Sequence, residues 1–583
     1  MRPGMEEARR CKYRAIYYDF EAKELREWEC DMPALPGREY CLFHDPDCWS
    51  KEPEVIRQAF YERIKNAAEK AQAIFCIGYH LPSIDLSGYV FRGRIYFNRA
   101  IFHGVAVFYE AEFLEDAVFE FATFHKDASF WSATFSKLAV FRGATFLENA
   151  VFIRTRFLGP ANFIDAHVHK AASFEFVKFL DDVLFEFACF FKHANFWCAE
   201  FSGNVSFRGA TFHGVSNFWS VKFHNIAGFD GTTFFAMANF DGAIFMKKAI
   251  FYDVLFNGDV SFRAASFYKT VDFGSAHLRS GAVFESVLIL DEMKFHESQL
   301  PTISEYPLDT RRRVVFKRIR FGARGKIIFL KTDMSRVSLL FVDLSRVEFR
   351  GVRWWNNNEA FMTVDAMVFL LKTNRKLANK YKRLAVRFNE KVLDDIALPD
   401  DPDITLENIL QELRDLRDWH IAKKRYEEAA KFYIAEMEVR RLAGPEAEKR
   451  HVAWPPRGLL DRLKERAGFW LEKRLLWLYR ATCLYGESLA RPVAWLLAIW
   501  LLFGFVYAFS GLIAAPGLAT ALQLLAEGLV FSGSVIVLML LLRAAPVVAA
   551  WGYIAWAEGA LALLIYAVLV PTIMRRIWRL VKA

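Results

Sequence analysis

The chain has 583 residues, of which 54% are hydrophobic and 16% aromatic, with 58 phenylalanines, eight cysteines and a formal net charge of +9. That length calls for several domains. The basic balance does not point to nucleic acid, because Leu86–Leu300 holds 19 Lys/Arg against 22 Asp/Glu and basic runs cluster beside the C-terminal hydrophobic segments, where membrane topology explains them better.

Met1–Arg14 is charged and has no apolar core, so no signal peptide is expected. The cysteines are scattered, which fits a reducing cytosol rather than a disulfide framework. Residues 1–50 read as a zinc-binding leader: Cys11, Cys30, Cys41 and His44 are spaced C-x18-C-x10-C-x2-H, with Cys48 nearby. Three thiolates and an imidazole would complete a closed tetrahedral shell of the structural kind. One turn can bring Cys41 and His44 to one ion. The alternative is four free side chains in a polar leader. No H-E-x-x-H motif suggests a catalytic metal. Glu54–Ala73 reads as a charged amphipathic helix, and residues 51–80 as a cap over an open strand edge.

From Phe91 a phenylalanine recurs at steps of five and six: Phe97, Phe102, Phe108, Phe113, Phe119, Phe124 and so on to Phe273, with Val168 taking one place. A small residue stands two positions before it, as in Ala111, Ala117, Ala122 and Ala128. On an α-helix, steps of five and six place successive rings roughly 120–140° apart, so no stripe forms. On an extended chain residues i and i−2 share a face, which puts each Ala-x-Phe into one interior. Turn formers follow the beat, as in Phe141-Arg142-Gly143 and Phe229-Asp230-Gly231. Units too short to bury their own faces must stack into a solenoid.

This pattern resembles the pentapeptide-repeat family, whose unit is A-x-[L/F]-x-x, in a phenylalanine-rich form lengthened by one residue at alternate units. The resemblance implies a β-solenoid, a right-handed quadrilateral β-helix, over residues 81–300. A break is expected at about Pro301–Gly325, within an insertion and final repeats at 301–357. The strict five-residue unit appears at Met334, Leu339, Leu344, Phe349 and Trp354. Four units per coil give roughly ten coils and a rod of about 45–50 Å. The rod is too near neutral to be an acidic DNA mimic.

Beyond the repeats the period becomes helical. Residues 358–455 read as a helical linker, with Phe361–Leu393 as one helix and Leu406–Ala422 and Tyr426–Leu442 as an antiparallel pair similar to a tetratricopeptide hairpin. His420 reads as a packed helix-face residue and Glu436/Glu438 as a solvated face. Residues 456–490 form a basic, aromatic helix suited to a membrane surface; a packing helix in the cytosol is the alternative. Residues 491–583 read as transmembrane helices: Val493–Ala515 and Tyr553–Met574 as two spans, with Leu518–Leu542 re-entrant or interfacial between them. This layout is similar to two-helix pore-loop channels, as in membrane-bound members of the family. The loop offers only Ser532, Gly533 and Ser534 as a pore-loop candidate, with no filter motif. Glu527 and Glu558 are intramembrane acidic residues and so candidate functional sites.

The expectation is a non-enzymatic, multi-pass protein of the inner or cell membrane, with its β-helix and C-terminus cytoplasmic. The β-helix would serve as an interaction scaffold or sensor for a protein partner. The alternative is an ion-channel or channel-like subunit, a tetramer if it conducts. Structural zinc is the expected cofactor. Nucleotide loops and nucleophile–base motifs are absent from the sequence.

Overall fold

The computed structural model describes residues 9–301 apart from 21 and 71, then 313–356, 361–373, 402–443, 459–488, 490–509 and 552–582, with residues 526, 529–530, 532 and 536 between the last two segments. The chain forms two compact units, one running to Trp354 and the other starting at Trp355.

The first unit is a four-sided β-solenoid. Strands of mostly two residues stack into four parallel sheets of 13, 10, 12 and 11 strands, and over most of the length each strand pairs with strands four places away in the chain. Successive coils are 22 residues apart, as in Ala117↔Ala139 and Phe113↔Phe135. Two kinds of corner produce the alternating step. After Phe97, Phe108 and Phe119 comes a tight turn closed by a bond from Ala100 N to Phe97 O at 3.0 Å, or its equivalents. The third residue of that turn is left-handed, as at Arg99 (φ 57), Phe121 (φ 56) and Gly143 (φ 63); this is a type II turn and gives the step of five. After Phe102 and Phe113 the chain takes a wider bend, which adds the sixth residue. Side-chain acceptors serve the backbone of some wide bends: Asp127 Oδ1 accepts from the Asn149 backbone N–H at 3.1 Å, and Asn149 Oδ1 from that of Ala171 at 3.2 Å.

The inward side chains fill the interior as four ladders. Phe196 stacks between Phe174 and Phe218 at 4.8 and 4.9 Å and meets Phe185 and Phe207 edge-on at 5.7 and 5.5 Å. The paired alanines, such as Ala106, Ala128 and Ala194, are buried beside the rings. Where threonine replaces that alanine its hydroxyl is satisfied: Thr155 Oγ1 donates to Phe130 O and Thr232 Oγ1 to Phe207 O, both at 2.7 Å.

The repeat resumes sooner than expected. Val314–Lys317 pairs with Ala282–Glu285 and Arg320–Phe321 with Leu288–Ile289, so the ladder is back before Gly325. Phe316 stacks on Phe284 at 4.8 Å. Ala282 and Val314 are 32 residues apart, ten more than one coil. In the strict five-residue stretch the step falls to 20, as in Ile327↔Val347.

Helix α1 (Pro53–Lys70) lies over the first coil. It buries Ile56, Phe60 and Ile64, spaced four apart on one stripe. Arg57 Nε donates to Ser83 O, and the Tyr61 hydroxyl accepts from Asp85 N. An antiparallel hairpin, β1 (Arg14–Asp19) and β2 (Glu24–Glu29), covers the outside of the first side, where Tyr17 packs with Ile77, Tyr96, Val118 and Val140.

The second unit is helical: α2 (Val364–Thr373), α3 (Leu406–Ala422), α4 (Tyr426–Leu442), α5 (Leu459–Cys483), α6 (Ala490–Phe509) and α7 (Gly552–Lys582). The expected helix over Phe361–Leu393 instead begins with a two-residue strand, Phe361–Met362, before α2; its part beyond Thr373 lies outside the described residues. Helices α3 and α4 pack as a pair, and Thr405 caps α3 by accepting from Asn408 N at 3.3 Å.

The multi-pass expectation is not met. Among the described residues one helix, Ala490–Ala508, is long and apolar enough to cross a membrane. In α7 the apolar stretch is Ala560–Met574, which at 1.5 Å per residue spans about 22 Å against a ~30 Å core. Glu558 and Arg575 bound it.

Truncating one ring of a ladder removes contacts in three coils. Phe196→Ala is expected to destabilise the solenoid by about 3–5 kcal/mol, measured as the shift of the denaturant midpoint in the full chain. A shift no larger than that of an exposed-site control would contradict the ladder as the source of stability.

Candidate metal centre

Cys11 precedes β1 and Cys30 follows β2, so the hairpin brings them together: Cys11 N donates to Met32 O at 3.0 Å and Cys30 N to Tyr13 O at 3.1 Å. One turn joins the other two, with His44 N donating to Cys41 O at 3.1 Å. The ligand atoms of Cys11, Cys30, Cys41 and His44 all lie within 4.8 Å of one another, and all four residues are buried. Cys30 Sγ and Cys41 Sγ are 3.8 Å apart, and His44 Nδ1 lies 3.5 Å from Cys11 Sγ and 3.1 Å from Cys41 Sγ. A tetrahedral shell with metal–sulfur bonds of ~2.3 Å and a metal–nitrogen bond of ~2.0 Å has edges of about 3.8 Å and about 3.5 Å. The cluster is close to that size.

The surroundings orient the donors. His44 Nε2 is 2.8 Å from the carbonyl oxygen of Ile77, so the ring donates there and turns the Nδ1 lone pair inward. Tyr13 stacks on the imidazole at 4.0 Å. The backbone N–H of Cys41 donates to Cys11 Sγ at 3.3 Å. A hydrogen bond from Cys30, opposed by burial and aided by His44, holds the Cys41 thiol down to about 4. Cys30 is driven up by donating that bond, and burial raises Cys11. Cys48 stands apart, its Sγ 3.8 Å from the Arg38 guanidinium, which also binds Asp45 at 2.6 Å. No spacing rule points to Tyr13 or to the Ile77 carbonyl, which reach His44 only through the fold.

A match to the family described as Pentapeptide repeats (9 copies) covers residues 86–134, 130–178 and 218–266. The repeat region is a pentapeptide-repeat β-solenoid. No curated protein and no solved structure matches the chain. The pentapeptide-repeat match lies wholly within the stacked coils and does not reach the Cys3His cluster.

The remaining candidates fall in the helical unit. His420 is buried, its ring against Trp419 and Phe432 at 5.0 and 5.3 Å, a packed residue as expected. Glu436 and Glu438 are not a solvated face. Glu436 is buried and held by Arg414, Arg417 and Arg440 at 2.9–3.0 Å. Glu438 binds Arg441 at 2.6 Å, Arg480 at 2.7 Å and the Tyr485 hydroxyl at 2.7 Å, which ties α4 to α5. Arg440 and Arg441 stand one turn along α4 from their partners, but Arg414, Arg417 and Arg480 come from other helices, and their convergence has no local sequence signal. Ser532 is buried and faces Glu558, while Gly533, Ser534 and Glu527 lie outside the described residues.

Burial pushes His420 down to about 4, against an attraction to Glu428 and with a repulsion from Arg425. The unfolded chain takes up the proton near 6.5 and the folded hairpin only near 4. Stability is therefore full above about 6.5, falls as pH drops toward 4, and is level below that. The expected loss is on the order of 3 kcal/mol, read by hydrogen exchange of residues 406–442 across this range. His420→Leu should flatten the profile; an unchanged slope in that variant would assign the loss to other groups.

Proposed function

We propose that the chain is a non-enzymatic, membrane-anchored scaffold whose solenoid presents its outer surface to a protein partner and whose N-terminal cluster holds a structural zinc ion. The observation that carries the scaffold reading is the filled interior: the phenylalanine ladders leave chemistry to the outside and the ends. On the outside, His169, Phe191, His213 and Phe235 stack along one corner at 4.6, 5.3 and 4.8 Å. Trp197 and Trp219 stack at 5.7 Å along the next. Phe235, Trp219 and Phe187 are 49%, 47% and 56% exposed. Rigid exposed aromatics of this kind are typical anchors of protein interfaces. The rings face one another along the corner, so a partner meets their edges, which favours side-chain packing over base or sugar stacking.

Anchoring rests on α6. Leu497, Leu501, Leu502 and Phe505 are 51–60% exposed, an apolar surface that lipid would cover. Before it, α5 exposes Leu471, Leu475 and Trp477, while its Arg480 is engaged with Glu438. Purified protein is expected to float with phospholipid vesicles and to resist carbonate extraction. Leu497→Lys/Leu501→Lys should move most of it to the soluble fraction, and a wild-type chain released by carbonate would end the anchoring reading.

For zinc, the donor set favours a borderline-soft ion in a closed site, which adds folding free energy to a hairpin with little core of its own. The purified chain is expected to carry one zinc ion, lost in Cys41→Ser/His44→Ala with faster proteolysis before residue 80. Metal-free protein with an unaltered N-terminal digestion pattern would refute it.

A further inference from the structure

Glu558 is fully buried on α7, and two hydroxyls reach its carboxyl group. Tyr507 of α6 donates to Oε2 at 2.7 Å, and Ser532 Oγ meets Oε1. Ser532 Oγ also lies 3.2 Å from the carbonyl oxygen of Trp500, whose Nε1 donates to Leu529 O at 2.7 Å. Gly504 permits this approach: a Cβ there would meet Leu529 Cδ2 at 2.6 Å. Helix α6, Leu529 with Ser532, and α7 thus converge on one acid.

A count of hydrogens favours the neutral form of that acid. A serine hydroxyl has one hydrogen. Were Glu558 ionised, Ser532 could serve either Oε1 or Trp500 O but not both. With a proton on Oε1, Glu558 donates to Ser532 Oγ, Ser532 donates to Trp500 O, and Tyr507 donates to Oε2. Every hydrogen then has its own acceptor. Nor does any described cation offset a negative charge. From α6 the facing titratable group is Tyr507, and among the described residues between α6 and α7 the facing polar group is Ser532. Residues 552–574 of α7 contain no other charged residue. Helix α5 reaches α7 through Cys483 at Thr572 and lines a cavity with Leu564, where its charged residue is Glu472, an acid that cannot offset a negative charge. A buried carboxylate with no counter-charge costs several kcal/mol.

We infer that Glu558 is a proton-binding site, held as the neutral acid at neutral pH, whose proton joins α6, Ser532 and α7 and whose loss opens that contact. This does not depend on whether α6 crosses a bilayer. The test is an infrared difference spectrum, wild type minus Glu558→Gln, of the full chain in detergent at neutral pH. Glutamine keeps a donor for Ser532 and an acceptor for Tyr507, and circular dichroism checks that the variant folds. A protonated-carboxyl band in the wild type supports the inference; carboxylate bands alone overturn it. Should Glu558→Gln misfold, dicyclohexylcarbodiimide decides the matter on wild-type protein, because it adds across a protonated carboxyl group. An adduct on the Glu558 peptide at neutral pH, at least ~tenfold weaker near pH 10, supports the proposal. Glu558 unmodified at both pH values refutes it.

Discussion

The spacing of stacked aromatic rings and the spacing of hydrogen-bonded strands have to agree for this solenoid to exist. Adjacent strands lie about 4.7–4.9 Å apart, and the ladder through Phe130, Phe152, Phe174, Phe196 and Phe218 repeats at 4.8–4.9 Å with its rings nearly parallel. Rings at that separation stack offset rather than face to face. Two ladders also meet edge-on across the centre, as Phe185 and Phe196 do at 5.7 Å. The interior is therefore filled along its length, and every coil relies on the coils before and after it.

A stack of this kind ends in exposed strand edges and an exposed ring at its first coil. At the N-terminal end α1 covers the first coil, and the hairpin lies against its outer face. The hairpin is small, and Glu24–Glu29 is largely exposed, so apolar burial alone does little to hold it. The Cys3His cluster sits at its base, and His44 is bonded to the carbonyl oxygen of Ile77 in the first coil. A tetrahedral ion there would tie hairpin, turn and solenoid at one point.

The helical unit is organised around buried acids instead of rings. Glu436 and Glu438 draw arginines from neighbouring helices, and Glu412 accepts from Thr363 at 2.8 Å. Buried charges of this kind favour one arrangement over others because each misplacement strands an ion. Glu558 differs from Glu436 and Glu438 in meeting hydroxyls rather than guanidinium groups.

By itself the sequence determined the solenoid. A period carried by dozens of phenylalanines sets which residues point inward, and the turn-forming glycines at Gly143 and Gly231 mark left-handed corners. It also picked out Cys11, Cys30, Cys41 and His44 as one set, and the packed state of His420. Pattern reaches that far because the repeat recurs without change and because three cysteines and a histidine form a recognisable donor set by residue type. Tertiary structure alone decided why the step alternates, since the tight and wide corners differ in a backbone angle that Phe121 and Gly143 both adopt. It also decided that the repeat resumes at Val314, that Glu436 and Glu438 are buried, and that α7 carries its acid inward. Those outcomes depend on partners 20 or more residues away, such as Arg414 for Glu436 and Tyr507 for Glu558, and hydropathy along one helix contains no record of them.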